Sequence, residues 1–282
     1  MTEILLSVFF ISVLLLFLST GVWVALSMIG VSTIAMTLFT SRPVGDAMAT
    51  TIWGTSSSWT LTALPLFVWM GEILFRTKLS ENLFEGLSPW MQKLPGGLIH
   101  VNVVGCALFA AISGSSAATV ATVGKMSIPE LRKRNYPEKI LLGSLAGSGT
   151  LGLLIPPSII LIIYGVTVQE SIAKLFVAGI IPGIMIALIF MSYVILWSFF
   201  NKKQMPNIVN QYSFIDKIKR SGQLIPVIIL ILSVIGSIYT GIATATEAAS
   251  LGVVGALILS YFQKSLSWNT FKSSLLGATK TS

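Results

Sequence analysis

The sequence predicts an all-α polytopic membrane protein with a re-entrant hairpin and a broken helix, laid out as an inverted repeat whose second half is incomplete. Three observations predict it. Apolar residues make up 54% of the 282 and charged residues only 10%, where a soluble domain carries about 25% charged. Apolar segments recur at 4–19, 22–40, 59–75, 97–112, 115–124, 140–165, 179–200, 223–240 and 243–262, and a bilayer core takes about 20 helical residues to cross. The basic residues are confined to the loops between them. The net charge of +8 is therefore no sign of a nucleic-acid partner; membrane lipids are the expected surroundings. A single cysteine, Cys106, excludes an intrachain disulfide, and a single histidine, His100, excludes a His-based metal cluster.

Segment 4–19 has Glu3 as its only early charge and no basic stretch before it, so it reads as a retained span rather than a signal peptide. Orientation follows from four basic groups. These are Arg76, Lys78 and Lys93; Lys125, Arg132, Lys133, Arg134 and Lys139; Lys202, Lys203, Lys217, Lys219 and Arg220; and Lys264, Lys272 and Lys280. Only Arg42 and Lys174 fall in the alternate loops. The positive-inside rule puts all four groups in the cytoplasm, with the N-terminus outside and the C-terminus cytoplasmic. This parity requires 97–124 to enter and leave on one side. Its second half is too short to cross, so a re-entrant hairpin with a polar tip at Ser113-Gly114-Ser115-Ser116 fits, although two full crossings would give the same parity. Non-helical backbone at membrane depth is tolerated only inside protein or beside water, so the tip should line a cavity. Segments 43–56, 79–94 and 168–178 mix Trp, Phe and Leu with charges and read as interfacial helices, with Trp53, Trp59 and Trp90 at headgroup level. Met185, Met191 and the Phe pairs read as core, Cys106 as a packing residue and His100 as a residue of the membrane edge.

Internal symmetry is weak but oriented. Gly21-Val22-Trp23 and Gly241-Ile242-Ala243 each sit between two closely spaced apolar runs, and each pair is followed by a polar, Trp-containing stretch, 41–59 and 264–282. The first pair starts outside and the second inside, which is an inverted-topology repeat of the kind found in many secondary transporters.

Two motifs carry chemistry. Phe109-Ala110-Ala111-Ile112-Ser113-Gly114-Ser115-Ser116-Ala117-Ala118-Thr119 is the hairpin tip. Gly147-Ser148-Gly149-Thr150-Leu151-Gly152-Leu153-Leu154-Ile155-Pro156-Pro157-Ser158 lies in mid-span. Pro156 and Pro157 lack N–H groups and Pro156 disfavours helical geometry at Ile155, so the helix should break near 152–157. A break frees carbonyls that suit a hard cation, and the half-helix starting at Ser158 turns its positive end toward the same spot, which suits a carboxylate. The tip repeats the pattern, with Ser115 or Ser116 as the helix cap. Either motif alone is explained equally by close helix packing; both together, at mid-depth, favour a site. Glu247 is a possible functional carboxylate but equally a helix-start residue after Thr244, and Glu72 is placed to pair with Arg76 one turn away. No phosphate loop, HExxH or nucleophile elbow occurs, and no base accompanies the tip serines, so the chain is not expected to be an enzyme.

These motifs resemble the large membrane subunit, of DctM type, of tripartite ATP-independent periplasmic (TRAP) transporters. FAAISGSSAAT at 109–119 is similar to that family's first hairpin tip and GTLGLLIPPS at 149–158 to its first broken helix. Gly241-Ile242-Ala243-Thr244-Ala245-Thr246-Glu247-Ala248-Ala249 is similar to its GxxTPTEAA motif, with Ala245 where Pro is usual. The resemblance implies an elevator-type permease that imports an organic acid, a C4-dicarboxylate or sialic-acid-like compound, by Na⁺ symport. It implies as partners a small four-span membrane subunit and a periplasmic solute-binding protein, and no cofactor beyond Na⁺ as coupling ion. It places Na⁺ at Ser113, Ser116, Gly152, Ile155 and Pro157, and substrate near Gly114, Ser115, Pro156 and Ser158. The implied division is scaffold and arm helices in 1–96 and a transport half in 97–180, with hairpin 97–135 and broken helix 140–165. A span and cytoplasmic linker follow in 181–221, and 222–282 starts a second repeat. The family's second hairpin and break would follow the point where this chain stops, so the chain reads as a shortened subunit, inactive as it stands. The alternatives are a non-transporting remnant that only associates with the small subunit, and a carrier that needs no binding protein.

Overall fold

Backbone polar groups in lipid must pair internally, and a helix does this within one segment. The computed structural model describes residues 2–77, 79–206 and 212–282; among them the chain forms 14 α-helices and no strand. Lys78 of the first basic group lies outside the described residues. By the packing of the backbone the chain divides into two units, Met1–Ser57 and Ser58–Ser282.

The first unit holds α1 (Thr2–Ser19), α2 (Val24–Phe39) and α3 (Val44–Ser56). Gly21, at φ 77°, makes the turn between α1 and α2, a left-handed conformation that favours glycine. Apolar side chains of α1 and α2 are mostly exposed. That inverts the soluble pattern and suits a solvent as apolar as the side chains themselves.

The second unit holds α4 (Ala63–Phe75), α5 (Leu79–Met91), α6 (His100–Ser113), α7 (Ser116–Lys133), α8 (Glu138–Gly149), α9 (Ile159–Val168), α10 (Ile172–Phe200), α11 (Phe214–Ser221), α12 (Ile225–Tyr239), α13 (Ala245–Phe262) and α14 (Trp268–Thr281). Its core contains Phe67, Met70, Phe109, Ile112 and Phe176, all at most 2% exposed. The Phe67 and Phe176 rings meet edge to face at 6.3 Å. Helix α4 packs along α13 and α14: Gly252 of α13 admits the Met70 sulfur, and Trp69 donates its indole N–H to Ser274 of α14 at 3.2 Å. The α12–α13 turn carries Gly241 at φ 72°, the same local geometry as Gly21.

The hairpin is α6 and α7. Gly114 at φ 59° reverses the chain, and Ser115 caps α7 by accepting from the Ala118 N–H. The open end is tied as well: the Leu98 N–H donates to the Tyr136 hydroxyl at 3.0 Å. Both arms thus start and finish together. The second arm is longer than its apolar stretch suggests, because α7 runs on through the basic residues to Lys133. Arg132 and Glu138 link α7 to α8, but both are exposed and such pairs contribute little.

Three sequence expectations change. Segment 168–178 is no separate interfacial helix: Ser171 caps a single 29-residue helix, α10, by accepting from the Lys174 N–H. At about 1.5 Å per residue α10 measures roughly 44 Å, longer than a bilayer core of about 30 Å. The charges that suggested a surface segment, Glu170 and Lys174, flank its start. Met185 and Phe200 are exposed rather than core, at 54% and 86%, because the apolar face of α10 turns outward. His100 is fully buried rather than at an edge; its Nε2 lies 2.8 Å from the Pro95 carbonyl oxygen. The 94–99 turn, with Gly96 and Gly97 both at positive φ, folds over it. Cys106 is buried, as expected of a packing residue. Trp53, Trp59 and Trp90 are exposed.

The Leu98–Tyr136 tie gives a testable outcome. Burial pushes the Tyr136 phenol above its ordinary pKa, so its hydroxyl stays neutral and available across the accessible pH range. Tyr136→Phe strands the N–H of Leu98, a residue 3% exposed, at a cost of about 1–3 kcal/mol. Melting should fall by several degrees, since roughly 1 kcal/mol moves a domain of this size by about 2–4 °C. Heat-induced labelling of the single buried thiol, Cys106, reads the transition. Exposed Tyr193→Phe should leave it unchanged.

Candidate functional site

The break in the second motif is assembled in steps. Helix α8 ends at Gly149 and tightens into a 3₁₀ turn over Thr150–Leu153. The Leu154 and Ile155 N–H groups both donate to the Leu151 carbonyl, at 3.1 and 2.9 Å. Pro156 and Pro157, joined by a cis peptide, carry the chain across with no N–H to satisfy. The buried Ser158 turns its hydroxyl back to the Leu153 carbonyl at 2.7 Å, and α9 starts at Ile159.

The tip lies directly on this break. The Ile159 N–H, first in α9, donates to the Gly114 carbonyl at 3.2 Å. A Cβ on Gly114 would stand 2.6 Å from the Pro157 carbonyl oxygen, and one on Gly152 would stand 3.0 Å from the Ser116 nitrogen. No side chain larger than hydrogen fits at either position without displacing backbone.

All nine tip and break positions singled out in the sequence fall in this one region. Ser113 is 2% exposed; its hydroxyl is 3.0 Å from the Thr119 hydroxyl and also contacts the Ser115 backbone. Ser115 is the α7 cap. The Ser116 hydroxyl is buried with no hydrogen-bond partner. Gly152, Pro156, Pro157 and Ser158 are buried and Ile155 is partly so. The tip and break contain no ionisable side chain, so any charge held here would be met by hydroxyls, carbonyls and helix ends.

Glu247 stands apart from this group in role. Its carboxylate accepts from the Thr244 N–H and hydroxyl, both at 2.8 Å, while Thr244 accepts from the Glu247 N–H, forming a capping box at the start of α13. The helix-start role that the sequence offered for Glu247 is thus present in the structure. Glu72 pairs with Arg76 at 3.0 Å, as the spacing suggests, and its carboxylate occupies the space that a side chain at Gly277 would take.

Sequence reasoning missed the residues that hold the site from outside. Gly179 of α10 admits the Leu154 carbonyl oxygen, 2.6 Å from where its Cβ would be, and Gly183 admits the Ile155 side chain at 2.8 Å. The four-residue spacing of these glycines, around Pro182, was the available signal. From the other side, Gly71 of α4 lies against Ser113, whose Cα is 2.7 Å from the position of its Cβ. Beside that contact is a cavity of about 250 Å³ lined by Ser113, Ser115, Ala117, Ala118 and Ala121 and by Glu72 and Phe75 of α4.

Comparison with known proteins gives these motifs a context. The family described as "Tripartite ATP-independent periplasmic transporter, DctM component" matches residues 11–282. The C4-dicarboxylate TRAP transporter large permease protein DctM of Pseudomonas aeruginosa is 33% identical over 216 residues, covering 77% of this chain and 50% of that protein. The isethionate TRAP transporter permease protein DctMQ of Oleidesulfovibrio alaskensis is 33% identical over 95% of this chain and 42% of its own length. The 2,3-diketo-L-gulonate TRAP transporter large permease protein YiaN of Escherichia coli is 34% identical over 83% of this chain and 55% of its own. The chain spans about half the length of the curated relatives it matches. It is a multi-pass membrane protein and belongs to the DctM component family of the tripartite ATP-independent periplasmic transporters.

Proposed function

We propose that this chain supplies the first ion site of a Na⁺-coupled, binding-protein-dependent importer of an organic acid. Ser113, Ser116, Gly152, Ile155 and Pro157 contribute the oxygen ligands, and Gly114, Ser115, Pro156 and Ser158 border the substrate. The observation that carries the reading is the Ser116 hydroxyl, buried without a partner, beside the Gly152 backbone. A buried hydroxyl left unpaired costs about 1–3 kcal/mol, and a hard cation bound among carbonyls would satisfy it. The start of α9 supports the anionic side, because a helix N-terminus favours carboxylate. Relatives named for C4-dicarboxylates, isethionate and 2,3-diketo-L-gulonate support the class of substrate. The transporter is placed in a bacterial inner membrane with a small four-span subunit and a periplasmic solute-binding protein. Residues 97–180 form its moving half, 1–96 its scaffold and arms, 181–221 a span and linker, and 222–282 the start of an inverted second repeat.

The site is tested in transport-competent proteoliposomes that contain this chain. Ser113→Ala or Ser116→Ala should raise the Na⁺ concentration for half-maximal uptake by about 5–150-fold, the equivalent of about 1–3 kcal/mol, while capture of substrate by the binding protein is unchanged. Gly152→Val should be at least as harmful, since its side chain would displace the Ser116 backbone. Sodium titrations unaltered in all three variants would sink the site.

Orientation has its own test. Reporters fused after Arg134 or Arg220 should read cytoplasm and one after Gln169 periplasm, because sixteen of the 18 basic residues fall in four alternate groups. A periplasmic signal at Arg220 would overturn both the topology and the inverted repeat.

A further inference from the structure

A second cavity, of about 430 Å³, opens between α5, α7 and α11, on the far side of the hairpin from its tip. Its charged lining is Lys125, Arg134, Arg220, Glu85 and Glu130, with Tyr212 beside them. Glu130 is engaged by Arg134 at 3.5 Å. Among the described residues no carboxylate lies within ion-pair distance of Lys125 or Arg220; each instead rests near an aromatic face, Phe75 at 5.9 Å and Tyr212 at 4.8 Å. Cation–π contacts leave a charge unneutralised. Counting Glu85, the lining carries one net positive charge.

The wall that bears Arg220 is fixed in place. Trp90 of α5 donates its indole N–H to Ser221 at 2.7 Å, meets Phe214 edge to face at 6.3 Å and takes the Lys217 ammonium over its ring at 5.3 Å. Helix α11 is thereby docked on α5, and the cavity is shaped before any ligand arrives.

We infer that this cavity is a binding site for a phosphodiester, which carries one negative charge, with Lys125 and Arg220 as its principal contacts. A monoanion balances the lining, whereas a multiply charged anion would overshoot it and meet Glu85. The phosphodiester headgroup of an anionic phospholipid is the favoured source. Basic cavities at the ends of membrane helices take such headgroups, Trp90 suits headgroup depth, and Phe84 and Met126 give the cavity apolar walls. Occupancy would join α7 of the hairpin to α5 and α11, a second tie independent of the ion site.

Thermal unfolding of the 282-residue chain, followed by labelling of Cys106, tests this in three settings. Nanodiscs of phosphatidylglycerol should raise the midpoint above those of phosphatidylcholine by on the order of 5 °C. Lys125→Gln with Arg220→Gln should abolish that difference, and Lys264→Gln, outside the cavity, should not. Lys125→Arg with Arg220→Lys, which keeps the charge, should retain most of it and guards against a merely misfolded double variant. In uncharged detergent at mildly acid pH, where inorganic phosphate is mainly the monoanion, phosphate titrated at constant ionic strength distinguishes the source. A shift there that the Gln pair removes, without lipid selectivity, upholds the phosphate site and assigns it to a soluble ester. Equal stabilisation in both lipids without a phosphate effect, or a phosphatidylglycerol shift that survives the Gln pair, would overturn the proposal.

Discussion

One backbone hydrogen bond, from the Ile159 N–H to the Gly114 carbonyl at 3.2 Å, carries the constraint on which the second unit is built. Membrane interior admits interrupted helices only where protein or water covers the exposed groups. The interruptions at 113–116 and at 150–158 cover each other. The first N–H of α9 has no partner within its own helix, and the Gly114 carbonyl at the hairpin apex supplies one. Side-chain hydroxyls meet further demand locally: Ser158 donates to the Leu153 carbonyl, and Thr119 to the Ser115 carbonyl at 2.8 Å. The Ser116 hydroxyl is left over, and this residue of unmet polarity is what turns a packing arrangement into a candidate ion site.

Mutual cover demands contact between backbones rather than between side chains. That explains why the tip and the break are rich in Gly, Ser and Pro, and why the same demand spreads to neighbours. Helix α10 meets the break through Gly179 and Gly183, and α4 meets Ser113 through Gly71. Glycine costs about 1 kcal/mol in a helix relative to alanine, so these positions trade local helix stability for approach distance.

The sequence disclosed these features unevenly, for physical reasons. Spans and interruptions were legible because lipid forces long apolar runs, and because Pro156-Pro157 and Gly114 leave the backbone few choices. The tertiary partners of the motifs were not. Gly71, Gly179 and Gly183 look like ordinary membrane-helix glycines until the surface they admit is known. Outward and inward faces of α10 were also illegible, since lipid and core both accept Met185 or Phe200, and hydropathy cannot tell them apart. Charge misled at Glu170 and Lys174, which mark the start of one long helix rather than a separate short one. Glu247 and His100 show the remaining ambiguity: a polar residue near a span reads alike whether it caps a helix or fills a buried turn, and only the observed partners, Thr244 and Pro95, tell these apart.

The two sides of the hairpin tip differ in a way that bears on how such a site works. Toward the break, the tip is held by a hydrogen bond and two approaches too close for a Cβ. Toward α4, one such approach at Gly71 borders a cavity of about 250 Å³. The cavity exists because α7 presents Ala117, Ala118 and Ala121 there, side chains too short to fill it. Displacing the tip from the break would expose backbone groups at several kcal/mol each, whereas on the α4 side the tip borders a mostly apolar cavity. The tip is therefore held more firmly to the break than to α4.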